Sequence, residues 1–393
     1  MRITIVSRIF APEPGAASFR LGALARACAE AGNSVCVLTS APPSQLNAGL
    51  IEFPDNVQIK RAKVLRDRAG YVRGYAQYMS FDIPLMARLL FARRPDIVLA
   101  EPPPTTGAVV RLICAMRRVP YAYYAADIWS DASQTAGAPS FVVKIVRWLE
   151  KFAMRGAQRV LSVSDGVSER LRELSVSRNV RTIGNGSDLA AFSLEGPAKN
   201  LRRPYFVYTG TASEVHGARI FADAFADVQR VRPDAALVFV GQGSEFPVIK
   251  EIAADLPEGS ISVFPRTTPS EVARWLRGAA AALASVKPDS GYDFAFPTKM
   301  YAATSCGTPV IYAGTGPGKA FIDTIGYGIA TDYDVESVAT SMISMLEREQ
   351  ARADRQRASA WARENVDIGA IATSACNILE SVASEHQKKL TKQ

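Results

Sequence analysis

A lysine at the start of a predicted helix is the residue whose type and position point most directly to chemistry. Lys299 follows Pro297 and Thr298, and the stretch up to Gly307 is typical of a helix that leads into a buried strand. A cation in the first helical turn opposes the helix dipole, so its presence is explained if an anion shares the site. The alternative interpretation is a helix–turn–strand unit without chemistry. We expect Lys299 and Thr298 to contact a negatively charged ligand.

Two glycine-containing turns stand at strand-to-helix junctions, where backbone N–H groups can face an anion. Gly15 and Ala16 lie in the first turn, and Gly316 lies in the second, at residues 314–319. GxGxxG is absent from both, which disfavours a Rossmann dehydrogenase. The second turn is not a P-loop, because Ala313 and Ala320 stand where that pattern needs Gly and Ser or Thr. For the first turn, an ordinary structural turn is an equally good interpretation.

Histidine and cysteine usage argues against a metal centre. The chain has two histidines, His216 and His386, too few for a multi-histidine site. Its five cysteines are scattered without a CxxC pair, so reduced, buried thiols are expected rather than a disulfide framework or a zinc site. We expect neither a metal nor a cofactor.

The length of 393 residues suggests two or three domains, and 48% apolar residues with 21% charged residues indicate a folded chain. No apolar run approaches the ~20 residues of a membrane-spanning helix. The apolar run at residues 3–6 is too short and too early for a signal peptide, so the sequence predicts a cytoplasmic protein.

Positive charge is concentrated in the first half. Residues 1–185 hold 25 Lys and Arg against 14 Asp and Glu, whereas the remainder holds 21 against 24. Residues 60–94 carry nine basic side chains interleaved with aromatic ones. This composition favours an anionic membrane surface or a lipid phosphate; a solvated helix face with core aromatics is the structural alternative, and nucleic acid is disfavoured.

Strand and helix patterns alternate twice along the chain, which indicates two doubly wound parallel sheets. In the first half, strands are predicted at residues 2–6, 34–39, 97–100, 121–125, 160–163 and 180–183. After a Gly-, Asn-, Ser- and Pro-rich linker at 184–204, strands are predicted at 205–209, 236–241, 261–264, 280–285, 309–312 and 328–330. Helices are predicted at 269–278 and 299–305, among others. The apolar helix at 368–382 is expected to cross back onto the first domain, and the basic tail from residue 388 is expected to fray.

Several motifs, in order, resemble the GT-B glycosyltransferases of family 4. The resemblance covers essentially the whole chain, and its most specific pieces are Gly-Asn-Gly-Ser-Asp at 184–188 and Pro-Thr-Lys followed by Gly-Thr-Pro-Val-Ile within 297–311. The likeness is greatest to bacterial surface-polysaccharide members. It implies two Rossmann-like domains that face a central cleft: residues 1–185 with 368–393 on the acceptor side, and residues 186–367 binding the nucleotide sugar.

The resemblance implies retaining, metal-independent sugar transfer from a UDP or GDP sugar to a lipid-linked or saccharide acceptor. The sequence departs from the family pattern where many members have paired glutamates, because Phe294 and Ala302 occupy those positions. Thr211 and His216 stand where many members have Arg and Lys for the diphosphate. A neutral histidine replaces a lysine charge only if its pKa is raised, as a bound diphosphate could do.

From the residues and the resemblance together we expect three groups of site residues. The catalytic residues are Asp127, Lys299 and His216, where Asp127 follows an alanine that replaces a histidine frequent in the family. Arg20 and Trp129 are expected on the acceptor side. The donor-binding residues are Gly15, Ala16, Asn185, Thr211, Gly241, Arg266, Thr298 and Gly316.

Two other functions remain open at this point: a non-catalytic or partner-dependent relative whose donor site is eroded at Ala302, and a nucleotide-sugar epimerase on the same scaffold. A carboxylate supplied to the ribose by Asp289 or Asp293 would favour the transferase. The predicted location is the cytoplasm, with peripheral contact at the inner face of the cell membrane.

Overall fold

The computed structural model describes residues 1–13, 15–43, 46, 52–67, 70, 72, 74–135, 137–176, 179–349 and 351–391. The chain divides into two compact units: Met1–Asn185 with Ile368–Gln393, and Gly186–Asp367. Each unit is a parallel sheet flanked by helices.

Unit 1 is built on seven parallel strands among its described residues, in the order β3-β2-β1-β4-β5-β6-β7. The order reverses direction between β1 and β4, and ligands bind at the carboxyl ends of strands beside such a point. The strands are β1 (Arg2–Val6), β2 (Ser34–Ser40), β3 (Val57–Ala62), β4 (Ile97–Ala100), β5 (Tyr121–Ala125), β6 (Arg159–Ser162) and β7 (Val180–Thr182). The helices are α1 (Ala16–Glu30), α2 (Tyr75–Phe91), α3 (Pro104–Arg117), α4 (Trp129–Thr135), α5 (Ser140–Gly156), α6 (Asp165–Glu173) and, from the end of the chain, α14 (Ile368–Leu390).

The C-terminal helix α14 packs into unit 1 as expected. Leu379 and Cys376 are buried with Leu24 and Cys28 of α1 in the core against the sheet. α14 continues to Leu390, three residues into the tail that is predicted to fray. The sequence analysis also missed the edge strand β3, whose short, half-polar sequence has few apolar positions.

Unit 2 repeats the architecture with six parallel strands in the order β10-β9-β8-β11-β12-β13, counted over its described residues, and reverses between β8 and β11. The strands are β8 (Tyr205–Thr211), β9 (Ala236–Gln242), β10 (Ile261–Pro265), β11 (Ala281–Ser285), β12 (Val310–Ala313) and β13 (Gly328–Thr331). The helices are α7 (Arg219–Val231), α8 (Phe246–Ala254), α9 (Pro269–Gly278), α10 (Lys299–Ser305), α11 (Pro317–Ile325), α12 (Val335–Glu347) and α13 (Arg352–Asn365). Two doubly wound α/β units confirm the predicted fold class.

Candidate active site

Lys299 begins α10, and its side chain lies on the ring of Tyr208 in β8, with 3.5 Å between Nζ and the ring centroid. Its Nζ is buried, and within the described part of the chain no hydrogen-bond partner reaches it. Removal from water lowers the pKa of Lys299 well below its usual range, and nearby Glu245 opposes that shift. A buried cation without a hydrogen bond is unfavourable, so the position is poised for an anionic ligand.

His216 lies in the turn between β8 and α7. Its Nδ1 is 2.7 Å from the Ser213 hydroxyl, and its carbonyl accepts a 2.5 Å hydrogen bond from Ser285 at the end of β11. The bond from Ser285 links the turn after β8 to β11, where the sheet order reverses. Burial, together with the charge of Lys299, lowers the pKa of His216 to about 4. In the unliganded protein His216 is therefore neutral at pH 7 and cannot act as a substitute cation.

Glu245 is a functional candidate that sequence reasoning missed. It directly precedes α8, and its carboxylate accepts the backbone N–H of Arg219 at 3.2 Å. Burial raises the pKa of Glu245, while the backbone hydrogen bonds oppose that shift. The residue borders a cavity of about 280 Å³. The cavity is lined by Glu214, Arg219, Ile220, Asp223, Glu245, Lys287 and Tyr333. In the sequence, the glycine-containing turn that follows β9 and ends at Gly243 was the feature that could have pointed to Glu245.

Three further predicted donor residues of unit 2, Thr211, Gly241 and Arg266, lie at or next to the carboxyl ends of its strands. Thr211 is the exposed last residue of β8, and Arg266 directly follows β10. Gly241 pairs with Gly210 of β8, and a Cβ at 241 would stand 1.9 Å from the Gly210 carbonyl oxygen. Glycine at 241 is thus required by strand packing, whatever else it does. Thr298 precedes α10 without a side-chain capping bond.

The turn at Gly316 offers fewer donors than its glycine content suggests. Gly316 has a φ of 71°, and a Cβ there would lie 2.2 Å from the Asp293 carbonyl oxygen. The following helix begins with Pro317, which has no N–H to point at an anion. Backbone packing therefore explains this glycine without a phosphate.

In unit 1, Arg20 is a buried member of an ion pair. Its guanidinium pairs with Glu101, which directly follows β4, and lies 4.6 Å from the ring centroid of Tyr124. Glu101 also accepts a 2.6 Å hydrogen bond from the Ser7 hydroxyl. Because the guanidinium of Arg20 is held by Glu101, we expect Arg20 to act on an acceptor through neighbouring groups rather than by direct contact. Gly15 and Ala16 lie at the start of the same helix, α1.

Asp127 lies two residues after the end of β5 and keeps an exposed surface. Surrounding protein atoms nevertheless remove enough water to raise the pKa of Asp127 to about 6, which the charge of Arg20 opposes and that of Glu101 reinforces. A carboxyl group with such a pKa changes charge just below physiological pH. Geometry and charge together keep Asp127 as a candidate for contact with a hydroxyl group.

Trp129 lies in a small aromatic cluster around a buried arginine. Its backbone N–H donates to Glu150 at 2.6 Å, and its ring meets Tyr78 edge-on at 5.7 Å. The guanidinium of Arg8 lies 4.6 Å from the Tyr78 ring centroid and 5.5 Å from that of Trp129. Sequence reasoning missed Arg8, since nothing near it in the chain marks it as unusual.

Several basic residues of segment 60–94 have structural roles. Arg66 forms a 2.8 Å ion pair with Glu13 and donates to the Ala41 carbonyl at 2.6 Å. Arg88 donates to the Lys60 carbonyl at 2.6 Å. Arg68, Tyr71 and Arg73 lie outside the described residues. Part of the predicted membrane-facing charge is thus used inside the unit.

Asn185 is the last residue of unit 1 before the boundary. No group of three or more His, Cys, Asp or Glu side chains suited to a metal ion occurs among the described residues. None of the described helices combines the length and the apolar composition that a membrane crossing requires.

Solved structures share this fold over nearly the whole chain. Sucrose-phosphate synthase from Thermosynechococcus elongatus has a TM-score of 0.73 at 15% identity, with 98% of this chain and 99% of that chain covered. Anabaena HepE in complex with UDP-glucose has a TM-score of 0.71 at 15% identity, with coverages of 97% and 100%. WaaG, a glycosyltransferase involved in lipopolysaccharide biosynthesis, has a TM-score of 0.71 at 13% identity, with coverages of 96% and 99%. At identities this low, the structural similarity establishes a shared fold alone. No curated protein matches the sequence.

Two family models match consecutive parts of the sequence. Residues 15–186 match the glycosyl transferase 4-like domain, and residues 203–348 match glycosyl transferases group 1. The two matches fall on the two structural units and together cover most of the chain. The chain therefore belongs to the GT-B glycosyltransferases and is a glycosyltransferase enzyme.

Proposed function

We propose that the protein transfers a sugar from a UDP or GDP sugar to a lipid-linked or saccharide acceptor, with retention of anomeric configuration and without a metal ion. The observation that carries the proposal is Lys299, a buried amine near the carboxyl end of β8 that no hydrogen-bond partner reaches among the described residues. A donor diphosphate is the ligand that would satisfy it. The structurally similar HepE has been solved with UDP-glucose, which supports a nucleotide sugar as donor.

In this proposal unit 2 holds the donor. Lys299 contacts the diphosphate, whose charge raises the pKa of the amine and restores its positive charge. His216 donates a neutral N–H, and Thr211, Thr298, Gly241, Arg266 and Gly316 border the nucleotide. Positive charge and N–H dipoles fixed in place stabilise the leaving diphosphate as its bond to the sugar breaks.

Unit 1 holds the acceptor in this proposal. Asp127 accepts a hydrogen bond from the acceptor hydroxyl, and the charge of Arg20 favours the ionised form of that carboxylate. Trp129 offers an apolar surface to the acceptor. The bond from the anomeric carbon to the diphosphate oxygen breaks, and a bond to the acceptor oxygen forms on the same face. The acceptor proton passes to the departing phosphate oxygen, so no separate protein base is required. Gly15, Ala16 and Asn185 are assigned to donor contact on this side.

The location follows from the acceptor. A lipid-linked acceptor would bring the enzyme to the cytoplasmic face of the cell membrane as a peripheral protein, where the basic first half meets anionic lipid.

Binding and product analysis test the proposal. UDP, GDP and their sugars should raise the thermal midpoint, and a ligand at 100 times its Kd adds about 2.7 kcal/mol. Lys299→Ala should lower transfer at least ~100-fold. The matched control, Lys250→Ala, removes an exposed lysine of α8 and should change nothing. Chelator should leave the rate unchanged, and the product should show the anomeric configuration of the donor. Failure of every nucleotide to bind would refute the proposal.

A further inference from the structure

The outer face of α5 exposes large apolar side chains at helical spacing. Phe141 is 63% exposed, Ile145 53% and Trp148 63%. Spacings of four and three residues put the three side chains on one face of the helix. Apolar side chains exposed singly are ordinary, but a contiguous row of them is typical of an interaction site.

Basic side chains share this face. Lys144, Lys151 and Arg155 lie within the same helical sector as Phe141 and Trp148. Lys144 and Lys151 have no carboxylate within ion-pair distance in the described part of the chain, whereas Arg155 donates to a backbone carbonyl. The outer face of α5, defined as Phe141, Lys144, Ile145, Trp148, Lys151 and Arg155, is thus both apolar and positive.

The acidic group of α5 points the other way. Glu150 is buried and accepts hydrogen bonds from the backbone N–H groups of Trp129 and Ser130, at the start of α4. No carboxylate of the helix therefore reduces the positive charge of the outer face.

The neighbouring helices α3 and α2 also expose large apolar side chains. α3 packs against both α5 and α2. It exposes Leu112 and Met116, at 50% and 69%, and α2 exposes Tyr75 and Ile83, at 65% and 63%. These side chains are exposed, and none of them is named in the described core cluster that α1 and α14 form against the sheet.

We propose that the outer face of α5 is the surface by which this protein sits on an anionic lipid bilayer. Trp and Phe suit the headgroup boundary, and Lys beside them meets lipid phosphates. A second copy on the same face would place like charges against each other, whereas an anionic bilayer supplies the opposite charge. The proposal rests on the proposed function, which includes a lipid-linked acceptor. It assigns the membrane contact to α5 instead of to segment 60–94, where the sequence analysis expected it.

Vesicle binding tests the surface. The full chain is mixed with vesicles of phosphatidylglycerol and phosphatidylcholine, or of phosphatidylcholine alone, at low and high salt. Ile145→Ser should weaken partition to the anionic vesicles at least ~10-fold, from lost apolar burial. Lys144→Ser with Lys151→Ser should weaken it by ~5-fold per lysine at low salt and less at high salt. Val231→Ser and Lys250→Ser, exposed positions on α7 and α8, are the matched controls and should bind as wild type.

Trp148 provides a readout of contact independent of activity. Brominated lipid should quench the wild-type fluorescence, and Trp148→Phe should remove most of that quenching while it keeps vesicle binding. If Ile145→Ser and the double lysine variant bind vesicles as well as the wild type does, or if quenching survives in Trp148→Phe, the proposal is overturned. A concentration-dependent dimer that Ile145→Ser dissociates would overturn it in favour of a second copy.

Failure of the docking surface is distinguishable from failure of the proposed function. The thermal shift with UDP and GDP is measured on every α5 variant. Normal nucleotide binding without vesicle binding refutes only the surface, whereas vesicle binding without nucleotide binding refutes only the proposed function.

Discussion

Replacing Lys299 with methionine should strengthen the unliganded fold and weaken nucleotide binding. A buried donor without a hydrogen bond costs about 1–3 kcal/mol. Contact of the Lys299 cation with the ring of Tyr208, 3.5 Å from Nζ, returns about 0.5–2 kcal/mol. The difference leaves the lysine unfavourable by roughly 1 kcal/mol. Methionine keeps the apolar stem and packs its thioether on the same ring.

The pH dependence gives a second, independent signature. Because the folded state lowers the pKa of Lys299 below the unfolded value of 10.5, the unfolded chain binds more protons between those two values. The free energy of unfolding of the wild type should therefore rise with pH in that window, by up to about 1.4 kcal/mol per pH unit. Lys299→Met should lack this contribution.

Urea unfolding at several pH values, with and without UDP, measures both effects. Without nucleotide, Lys299→Met should be about 1 kcal/mol more stable than the wild type at pH 7. With nucleotide, the order should reverse, because the wild type gains more binding energy than the variant. Lys250→Met, at an exposed position, should match the wild type throughout. A Lys299→Met protein that is less stable without nucleotide would show that the amine has a structural partner, and the reasoning would fail.

Three further predictions concern other groups. Ala302→Glu places a carboxylate where many relatives have one and should tighten UDP binding by about 1.5–3 kcal/mol in calorimetry, unless another group already holds the ribose. Arg20→Ala leaves Glu101 buried without its ion-pair partner and should lower the free energy of unfolding by about 3–5 kcal/mol. The double variant Arg20→Met with Glu101→Leu should lose much less stability. Equal losses in the two variants would contradict a coupled pair. Transfer that depends on the Asp127 carboxylate should be present above its pKa of about 6 and fall as pH decreases through it, and Asp127→Asn should have low activity with a flat profile over that range.

Local sequence was enough for the fold class and for several elements. The alternation of strand and helix patterns predicted two doubly wound sheets, and the bounds of α9 and α10 were predicted correctly. Proline at the start and small residues at the end make such helices readable without tertiary context. The position of Lys299 in the first turn of α10 was likewise visible in the sequence.

What surrounds each side chain was decided by tertiary structure. Tyr208 is 91 positions before Lys299 and comes beneath it only because β8 lies near α10 in the folded unit. Arg20 and Arg66 looked available for ligands, yet each is paired with a carboxylate distant in sequence. Charge state depends on such neighbours and on burial, so the neutral His216 was not predictable from its position in the chain.

Which side chains are exposed to solvent was likewise decided by tertiary structure. The sequence marks residues 60–94 and α5 alike as mixtures of aromatic and basic residues, because composition does not record which face of an element packs inward. Packing turns Glu150 inward and leaves Trp148 outside, while it uses Arg66 within the unit. The sequence by itself determined which elements form. The long-range packing of those elements decided which charges remain available to a ligand or a membrane, because pairing and desolvation are properties of the folded neighbourhood.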